Sequence, residues 1–462
     1  MTLESLPVAV IGGGPVGLAA AAHLVARGLP VKVFEAGTTV GANLREWGHV
    51  RVFTPWELNV DAVARALLER QGWTMPPLTE LPTGSDLYAR YLKPLSETPE
   101  LAAAIEVGTR VEAISRLNTD KVKTEGREAK PFQLRLSLPS GAQRVELARA
   151  AIDASGTWAA QNPMGANGLP ALGEADNKTR IAYGMPNILG HDRATYAGHR
   201  TLVVGSGYSA ANVLLDLAKL AEDQPDTSII WAVRGTDLVR VYGGGLADQL
   251  PARGELGWLL KGLVERGVVT LVTGFATTRI LKTGDGLVVE ADGVDGPRSI
   301  GAVDRIVVAT GQRPDLIMTR ELRLELDPWL ESVRALGPLI DPNLHSCGDV
   351  PPHGHRELSH PEPGFYTVGV KSYGRAPTFL LLTGYEQVRS VVAAIAGDLE
   401  SADRIQLALP ETGICKVEFL DGEMTAAGCC GGPAITRQDA CCVADAVAKD
   451  AGQDGCGCGL AA

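Results

Sequence analysis

A glycine-rich turn near the start of the chain has the spacing of a dinucleotide-binding motif. In the segment VAVIGGGPVGLAAAAHL, Gly12, Gly14 and Gly17 follow a short apolar run and open an alanine-rich stretch typical of a helix. The first glycine permits a tight turn, the second lets a pyrophosphate approach the helix N-terminus, and the third lets the helix pack close to the strand. Glu35 ends the next predicted strand, where a carboxylate can accept hydrogen bonds from a ribose. This spacing predicts one dinucleotide site.

A second copy of the pattern lies later in the chain. In TLVVGSGYSAANVLLDL, Gly205, Gly207 and Ser209 lie in the predicted turn, and Ala210 takes the third position, which the motif also allows. The following predicted strand, SIIWAVRG, ends in Arg234 instead of a carboxylate. Because a guanidinium can pair bidentately with a 2′-phosphate, we expect this site to prefer NADPH to NADH. One acidic and one basic site together predict FAD and NADPH as the cofactors.

Cysteine is concentrated at the end of the chain. Of eight cysteines, none precedes Cys347. Six lie close together, as Cys429, Cys430, Cys441, Cys442, Cys456 and Cys458. A secreted disulfide framework would spread its cysteines through the core, so we expect a cytoplasmic protein with reduced thiols.

The spacing of these six cysteines favours a soft ligand. Adjacent cysteines fit a closed tetrahedral zinc site poorly, whereas thiolates in a flexible segment can bind As(III), Hg(II) or Cu(I). We therefore predict that the six residues bind a soft metal or metalloid. An incidental, partly oxidised tail is the alternative. Cys415 could join this site or be a buried structural thiol.

The composition is that of a folded α/β protein. The 462 residues are 45% hydrophobic and 21% charged, which excludes disorder for most of the length. A net charge of −11 argues against a nucleic-acid or anionic-membrane partner. The start lacks the basic region of a signal peptide, and no long apolar run predicts a membrane-spanning helix.

The predicted fold class is α/β with two Rossmann-like dinucleotide-binding domains. Each glycine turn is flanked by a strand and a helix, and a second strand follows, as in a βαβ unit. We expect an FAD-binding domain formed by residues 1–165 and 306–398, with an inserted NADPH-binding domain at 166–305. Residues 399–462 form a small Cys-rich C-terminal extension.

The order of these motifs resembles the flavoproteins that have two dinucleotide-binding domains, a superfamily that includes flavin-containing monooxygenases and the thioredoxin and mercuric reductases. The segments DASG at 153–156 and DRIVVATG at 304–311 look like the strand ends that join the two domains there. Cys347-Gly348-Asp349 looks like the GD motif, which implies that Gly348 and Asp349 bind the ribityl and pyrophosphate region of FAD. The resemblance covers roughly residues 7 to 398.

Residues 42–61 and 364–390 are similar to a group of bacterial flavin monooxygenases associated with arsenic-resistance gene clusters, some of which oxidise trivalent organoarsenicals. This resemblance implies that Asn59 and Tyr373 belong to the catalytic site. Trp47 and Trp56 would line the pocket with Tyr373, although each of these aromatic residues could instead belong to the core.

One motif of the flavin monooxygenases is incomplete in this chain. Their FxGxxxH pattern would begin around Gly184, but Ile188 stands where the histidine is expected. His191 is the nearest substitute, and a solvated loop histidine is the more ordinary interpretation.

The chemistry at the flavin depends on whether a dithiol is present. Disulfide reductases of the superfamily carry a CxxC or CxxxxC pair, and this sequence has neither. The resemblance then implies a monooxygenase, in which NADPH reduces the flavin and dioxygen forms a C4a-hydroperoxyflavin that gives one oxygen atom to a soft nucleophile. We expect a thiophilic small molecule as substrate, with a trivalent organoarsenical oxidised to the pentavalent form.

Two other functions stay open from the sequence. An NADPH-dependent reductase could pass electrons to the C-terminal thiols or to a metal or metalloid that they bind. A metalloid-sequestering or sensing protein would keep the flavin domain as a structural part only, although both glycine motifs are intact.

Overall fold

The computed structural model describes residues 2–242, 250–293, 296–343 and 350–407. The strands, numbered along the chain, are β1 (Val8–Ile11), β2 (Val31–Phe34), β3 (Ile105–Glu106), β4 (Arg110–Arg116), β5 (Phe132–Ser137), β6 (Gln143–Ala148), β7 (Ala150–Asp153), β8 (Ile181–Tyr183), β9 (Arg200–Val204), β10 (Ser228–Ala232), β11 (Val269–Val272), β12 (Ala276–Thr283), β13 (Gly286–Gly293), β14 (Gly296–Val303), β15 (Arg305–Val308) and β16 (Phe365–Thr367).

Helices connect these strands. They are α1 (Pro15–Ala26), α2 (Ala42–Glu46), α3 (Ala62–Arg70), α4 (Gly84–Asp86), α5 (Lys93–Ser96), α6 (Pro99–Ala102), α7 (Arg193–Tyr196), α8 (Tyr208–Asp223), α9 (Val239–Tyr242), α10 (Pro251–Glu265), α11 (Gly337–Ile340), α12 (Leu381–Ile395) and α13 (Leu399–Asp403). A π-helical stretch, Leu87–Leu92, joins α4 to α5. None of the helices in the described part of the chain combines the length and the apolar composition needed to cross a membrane.

Two parallel sheets organise the described residues. The first has the strand order β16-β7-β1-β2-β3 and the second has the order β11-β10-β9-β15-β8. We call the part built on the first sheet the first unit and the part built on the second sheet the second unit. Parallel sheets need apolar side chains on both faces because helices or other layers cover both, and β1 and β7 are buried along their whole length.

An antiparallel three-stranded sheet accompanies each unit. The sheet β4-β5-β6 shares a core with the first unit, where Leu134 packs in the same cluster as Ile11. The sheet β12-β13-β14 shares a core with the second unit, where Val289 packs in the same cluster as Leu202. These layers cover sheet faces and leave the carboxyl ends of the parallel strands to the loops that carry the glycine motifs.

The pairing of β15 corrects one expected domain limit. β15 pairs with β9 and with β8, so residues 305–308 belong to the second unit. The expected return to the FAD domain at residue 306 therefore cuts through a strand of the other sheet. The sequence did not reveal this, because the apolar pattern of a short buried strand is the same in either sheet. The chain rejoins the first sheet at β16.

Residues from the beginning and from the end of the described chain pack together in the first unit. Helix α1 packs against α12, and Val16 and Leu18 share one buried cluster with Val388 and Val391. Burial of this apolar surface is the main favourable term for holding α12 in place. The last described helices therefore complete the unit that the first residues begin.

Candidate functional site

The first glycine turn has the geometry that its motif predicts. Gly12 has a φ of 100°, and a Cβ added there would lie 2.7 Å from the carbonyl oxygen of Ala154. A Cβ added to Gly17 would lie 2.0 Å from the carbonyl oxygen of Gly12, so α1 could not approach the turn with a side chain there. Gly14, the N-cap of α1, has open space around its Cβ position. A phosphate can therefore reach the amides at the start of α1.

Glu35 lies directly beside this turn. It follows β2, and its Oε2 accepts a hydrogen bond from the amide of Gly13 at 2.7 Å. Its Oε1 accepts one from the amide of Gly37 at 2.6 Å. The two amides fix a carboxylate next to the phosphate-binding end of α1, where its remaining lone pairs can accept ribose hydroxyls. The structure thus brings Glu35 together with Gly12, Gly14 and Gly17.

Two further glycines, which were not predicted from the sequence, let other segments approach the start of α1. Gly369 follows β16 with a φ of 70°, and its Cβ position is 3.4 Å from Val16. Gly384 lies in the first turn of α12, and its Cβ position is 2.6 Å from Cγ2 of Val16. A glycine inside a helix costs about 1 kcal/mol relative to alanine, so Gly384 could have signalled a close contact.

Gly348 and Asp349, the expected GD motif, lie outside the described residues. The described strand end beside the first turn is that of β16, where the chain continues as Gly369, Val370 and Lys371. An aspartate does not follow the glycine at this position.

The second glycine turn repeats the first. Gly205 has a φ of 133°, and a Cβ added there would lie 2.2 Å from the carbonyl oxygen of Ala309. Gly207 is the N-cap of α8 and has open space around its Cβ position, as Gly14 has in the first unit. Ser209 is half-buried in the first turn of α8, and Ala210 is fully buried at the third motif position.

Arg234 follows the second strand of this unit, as expected. It lies just beyond β10, and its side chain is exposed. One guanidinium nitrogen, Nη1, donates to the carbonyl oxygen of Ala166 at 3.2 Å. This contact leaves other N–H donors of the guanidinium for a phosphate.

The side chain of Asn59 is held inside its own loop, and its catalytic role stays a prediction. Its Oδ1 accepts from Thr54 Oγ1 at 2.9 Å, and its Nδ2 donates to the carbonyl oxygens of Thr54 and Pro55 at 2.7 and 2.9 Å. The residue is 1% exposed. Because both amide hydrogens are used inside its own loop, Asn59 has no donor left for a substrate.

Tyr373 and Trp56 belong to the core of the first unit. Both are fully buried. The ring of Tyr373 packs against His353 and Phe379, at centroid distances of 5.7 and 5.3 Å. Burial raises the pKa of Tyr373 far above its usual value, so the phenol stays protonated. These contacts support the core interpretation for both aromatic residues, and the predicted catalytic role of Tyr373 finds no support in them.

Trp47 lies instead where the two units meet. Its ring is 6.4 Å from that of Trp158, whose indole nitrogen donates to Glu46. Nearby, Phe53 of the first unit packs against Tyr208 at the start of α8, with ring centroids 5.3 Å apart. The segment that contains Trp47 and Phe53 therefore reaches the turn of the second unit.

His49 belongs to the same segment and was not singled out from the sequence. It contacts the backbone of Pro186, and burial lowers its pKa below the usual value, so the ring is neutral at pH 7. His191, the substitute considered for the incomplete motif, has a side chain that is 73% exposed and lies 3.2 Å from Asp192. Ile188 is buried in the core of the second unit. The structure thus places His49, a residue of the first unit, near the incomplete motif of the second unit.

The six predicted thiol ligands, together with Cys347 and Cys415, lie outside the described residues. Within the described part of the chain, the side chains of His, Asp and Glu form no group of three or more that could hold a metal ion.

Comparison with protein families gives one match over most of the chain. The pyridine nucleotide-disulphide oxidoreductase family matches residues 6–371. The chain belongs to this family. Members of this oxidoreductase family share the two-domain arrangement that both glycine turns indicate, so the predicted fold class is confirmed. Comparison with curated protein sequences gives no match.

Solved structures with the same fold include both reductases and monooxygenases. The bacillithiol disulfide reductase of Bacillus cereus is 18% identical, with a TM-score of 0.63, over 85% of this chain and 99% of that chain. The FAD-bound cadaverine monooxygenase of Erwinia amylovora is 14% identical, with a TM-score of 0.59, over 90% and 99%. Thioredoxin reductase of T. acidophilum is 14% identical, with a TM-score of 0.52, over 86% and 98%.

FAD and NADPH fit this oxidoreductase and its two turns. The first turn, with open space at Gly14 and a fixed carboxylate at Glu35, suits the pyrophosphate and ribose of FAD. The second turn, with open space at Gly207 and the exposed guanidinium of Arg234, suits NADPH.

Proposed function

We propose that this oxidoreductase is an FAD- and NADPH-dependent monooxygenase that oxygenates a soft, thiophilic substrate. The observation that carries the proposal is the absence of a dithiol: no two cysteines of the sequence have CxxC or CxxxxC spacing, although the family is named for disulphide chemistry. A flavin without such a pair has no neighbouring thiols to reduce and can react with dioxygen. This chain has the same fold as the FAD-bound cadaverine monooxygenase, which is consistent with this chemistry.

FAD, when bound, supplies the hydride-accepting and dioxygen-activating chemistry. The chain binds and orients it: the amides at the start of α1 hold the pyrophosphate, and Glu35 holds the ribose. Arg234 pairs with the 2′-phosphate of NADPH. The rings of Trp47 and Trp158 pack against each other at the junction of the two units, where they can shield the flavin from water.

The proposed substrate is a trivalent organoarsenical. In the overall reaction, NADPH gives two electrons and one oxygen atom of dioxygen bonds to arsenic, which becomes As(V). The other oxygen atom leaves as water with a proton from NADPH and one from solvent. The support for this substrate is the set of six C-terminal thiols, because trivalent arsenic is a soft acceptor that binds thiolates.

Oxygen uptake measured against NADPH consumption tests the reaction class. With phenylarsine oxide as substrate, we expect one dioxygen and one NADPH consumed for each As(V) product. In the absence of oxygen, turnover should stop after a single reduction of the flavin. Equal rates with and without oxygen would contradict the proposal.

Truncation after Leu420 tests the tail. Removal of the following residues takes away all six clustered cysteines. We expect FAD binding and NADPH oxidation to stay intact, while the substrate concentration for half-maximal turnover rises because the chelating thiols are gone. The full-length chain with these six cysteines changed to serine is the matched control, since it keeps the length of the tail. An unchanged substrate dependence in both variants would show that the tail does not capture substrate.

An NADPH-dependent reductase is the second candidate. The specific observation in its favour is the paired arrangement of the C-terminal thiols, which could accept electrons as a disulfide or hold a metal that does. The bacillithiol disulfide reductase of Bacillus cereus has the same fold. Anaerobic turnover that is lost in the six-serine variant would favour this function.

A further inference from the structure

Each glycine turn contacts the end of an equivalent strand, so the residues around the two turns can be compared position by position. Ala154 follows β7 and closes the first turn, and Ala309 follows β15 and closes the second. Ser155 and Thr310 come next, and then Gly156 and Gly311, both with positive φ. The same backbone arrangement is thus built twice.

The register of the sheets identifies the residue that differs most. Ile11, the last residue of β1, pairs with Asp153 of β7. Val204, the last residue of β9, pairs with Val308 of β15. Asp153 and Val308 are both 1% exposed. A buried carboxylate therefore occupies in the first unit the place that an apolar side chain fills in the second.

The carboxylate of Asp153 belongs to a buried polar triangle. Its Oδ2 lies 2.7 Å from Nζ of Lys371, and both side chains are almost completely buried. Lys371 Nζ also donates to Ser155 Oγ at 2.9 Å. The triangle is closed by Ser155, whose hydroxyl and amide both donate to Asp153 Oδ1, at 2.7 and 3.1 Å.

The fold does not require these charges. The second unit forms the same turn with Val308, and replacing a buried ion pair by apolar side chains of similar size is often neutral or stabilising. A buried ammonium and carboxylate lose hydration that their attraction repays only in part. The first unit keeps the pair at this cost, which points to a role other than stability.

The position of the triangle indicates that role. The Cα of Ser155 lies 2.9 Å from the Cβ position of Gly12, so the triangle forms the wall of the first turn. An ammonium has three N–H donors, and Asp153 and Ser155 account for at most two of them. Phosphate and carbonyl oxygens are the acceptors that such a donor binds most strongly.

We propose that Lys371 is a cofactor-positioning residue of the first turn. Held by Asp153 and Ser155, it fixes the wall at residues 154–156 and presents a hydrogen-bonding cation to the oxygen-rich part of the dinucleotide. The inference rests on the proposed binding of FAD at this turn. The second turn, which has Val308 at the equivalent place, binds its dinucleotide without such a cation.

The decisive variant copies the apolar arrangement of the second unit. In Asp153→Val with Lys371→Met, no unpaired charge stays buried, so we expect a folded protein with a thermal midpoint close to that of the unmutated protein. FAD dissociation is measured by diluting the holoprotein and following the fluorescence of released flavin. We expect the Kd for FAD to rise at least tenfold, and the absorption band of the bound flavin to shift.

Arg127→Met is the matched control. Arg127 is as buried as Lys371 and lies 2.6 Å from Glu362 in the same unit, but its other side-chain hydrogen bonds go to the carbonyl oxygens of Asp120 and Glu321 and not to the first turn. This variant should lose stability and keep the Kd for FAD.

An unchanged FAD affinity in the double variant would show that Lys371 serves the fold alone. If the double variant does not fold, Ser155→Ala replaces it, since it keeps the ion pair and removes only the hydroxyl; we expect its Kd to rise about threefold, and an unchanged value overturns the proposal. Because FAD affinity is measured without turnover, failure of the oxygenase proposal is recognised separately by the absence of oxygen uptake.

Discussion

Helices α1 and α8 begin at equivalent glycine turns, but their surroundings differ. Every residue of α1 from Val16 to Leu24 is buried, whereas α8 buries one face and exposes part of the other. The difference arises because α12 and α3 pack against α1 in addition to the strands β1 and β2. The same local motif therefore occurs in a fully buried helix in the first unit and in a partly exposed helix in the second.

Helices α1 and α8 also differ at the residue that lies six positions after the third glycine-motif position. His23 of α1 lies there, and its Nε2 is 3.1 Å from Oδ2 of Asp61, with both side chains buried. Asp216 of α8 has the equivalent position. Burial raises its pKa to about 6, and Lys219 offsets this rise only in part. The closed unit gives its buried polar side chain a partner, whereas the open unit leaves Asp216 partly desolvated beside a lysine on the same helix.

The largest effect is expected from exchanging the third motif residue between the units. Gly17→Ala places a Cβ against the carbonyl oxygen of Gly12, and α1 cannot move away from that oxygen because α12 packs against the helix. We expect a loss of about 3 kcal/mol or more in the free energy of unfolding, together with loss of bound FAD. Urea unfolding and flavin content measure the two effects.

The reciprocal change is the control for this prediction. Ala210→Gly in α8 should cost about 1 kcal/mol, because it adds backbone freedom and removes one methyl group. If the two changes destabilise the protein equally, the closed packing around α1 is not the reason why a side chain at Gly17 is unfavourable.

A smaller effect, limited to one cofactor, is expected at Arg234. Arg234→Ala removes the charge-assisted contact with the 2′-phosphate, so kcat/KM for NADPH should fall about 10- to 100-fold while that for NADH changes little. Steady-state kinetics with both nucleotides measure the change. Arg279→Ala, an exposed arginine of the same unit that pairs with Glu290, should leave both values unaltered. Equal use of NADPH and NADH by the unmutated protein would exclude this role of Arg234.

The smallest effect concerns Asp216 and depends on pH. Its folded-state pKa of about 6 lies above the ordinary value of 3.8, so the folded state binds this proton more tightly than the unfolded state does. The associated stability is complete below about pH 4 and is lost as the pH rises through 6. Asp216→Asn should therefore be more stable than the unmutated protein at pH 8, by about 1–3 kcal/mol, and equally stable near pH 4.

Urea unfolding at both pH values measures this difference. Asp226→Asn, in the exposed loop after α8, is the matched control and should change stability at neither pH. A gain for Asp216→Asn that is the same at pH 4 and pH 8 would mean that titration of this carboxyl does not cause it.

Features set by local backbone geometry could be predicted from the sequence. Gly12 and Gly205 need positive φ, and their spacing to the next glycine follows from the strand, turn and helix that contain them. Glu35 could be placed because it directly follows the next strand. These positions depend on a few neighbouring residues, so a pattern in the sequence identifies them.

Roles set by distant contacts could not be predicted. Asn59 has the polar side chain that a substrate contact needs, but its own loop uses both of its donors. Lys371 is unremarkable in the sequence, because nothing there shows that it will meet Asp153 in the neighbouring strand of the sheet. Such pairings arise only when the sheet order is known.

The late return of β16 to the first sheet has a consequence for biosynthesis. β7 pairs with β1 on one side and waits for β16, about 210 residues further along the chain, on the other. At ribosomal rates of about 5–20 residues per second, this edge of β7 stays without its partner for roughly 10–40 seconds while the whole second unit emerges. The second unit, whose sheet strands all lie between β8 and β15, can assemble first. An unpaired edge strand can join another nascent chain, and its short length of four residues limits that risk.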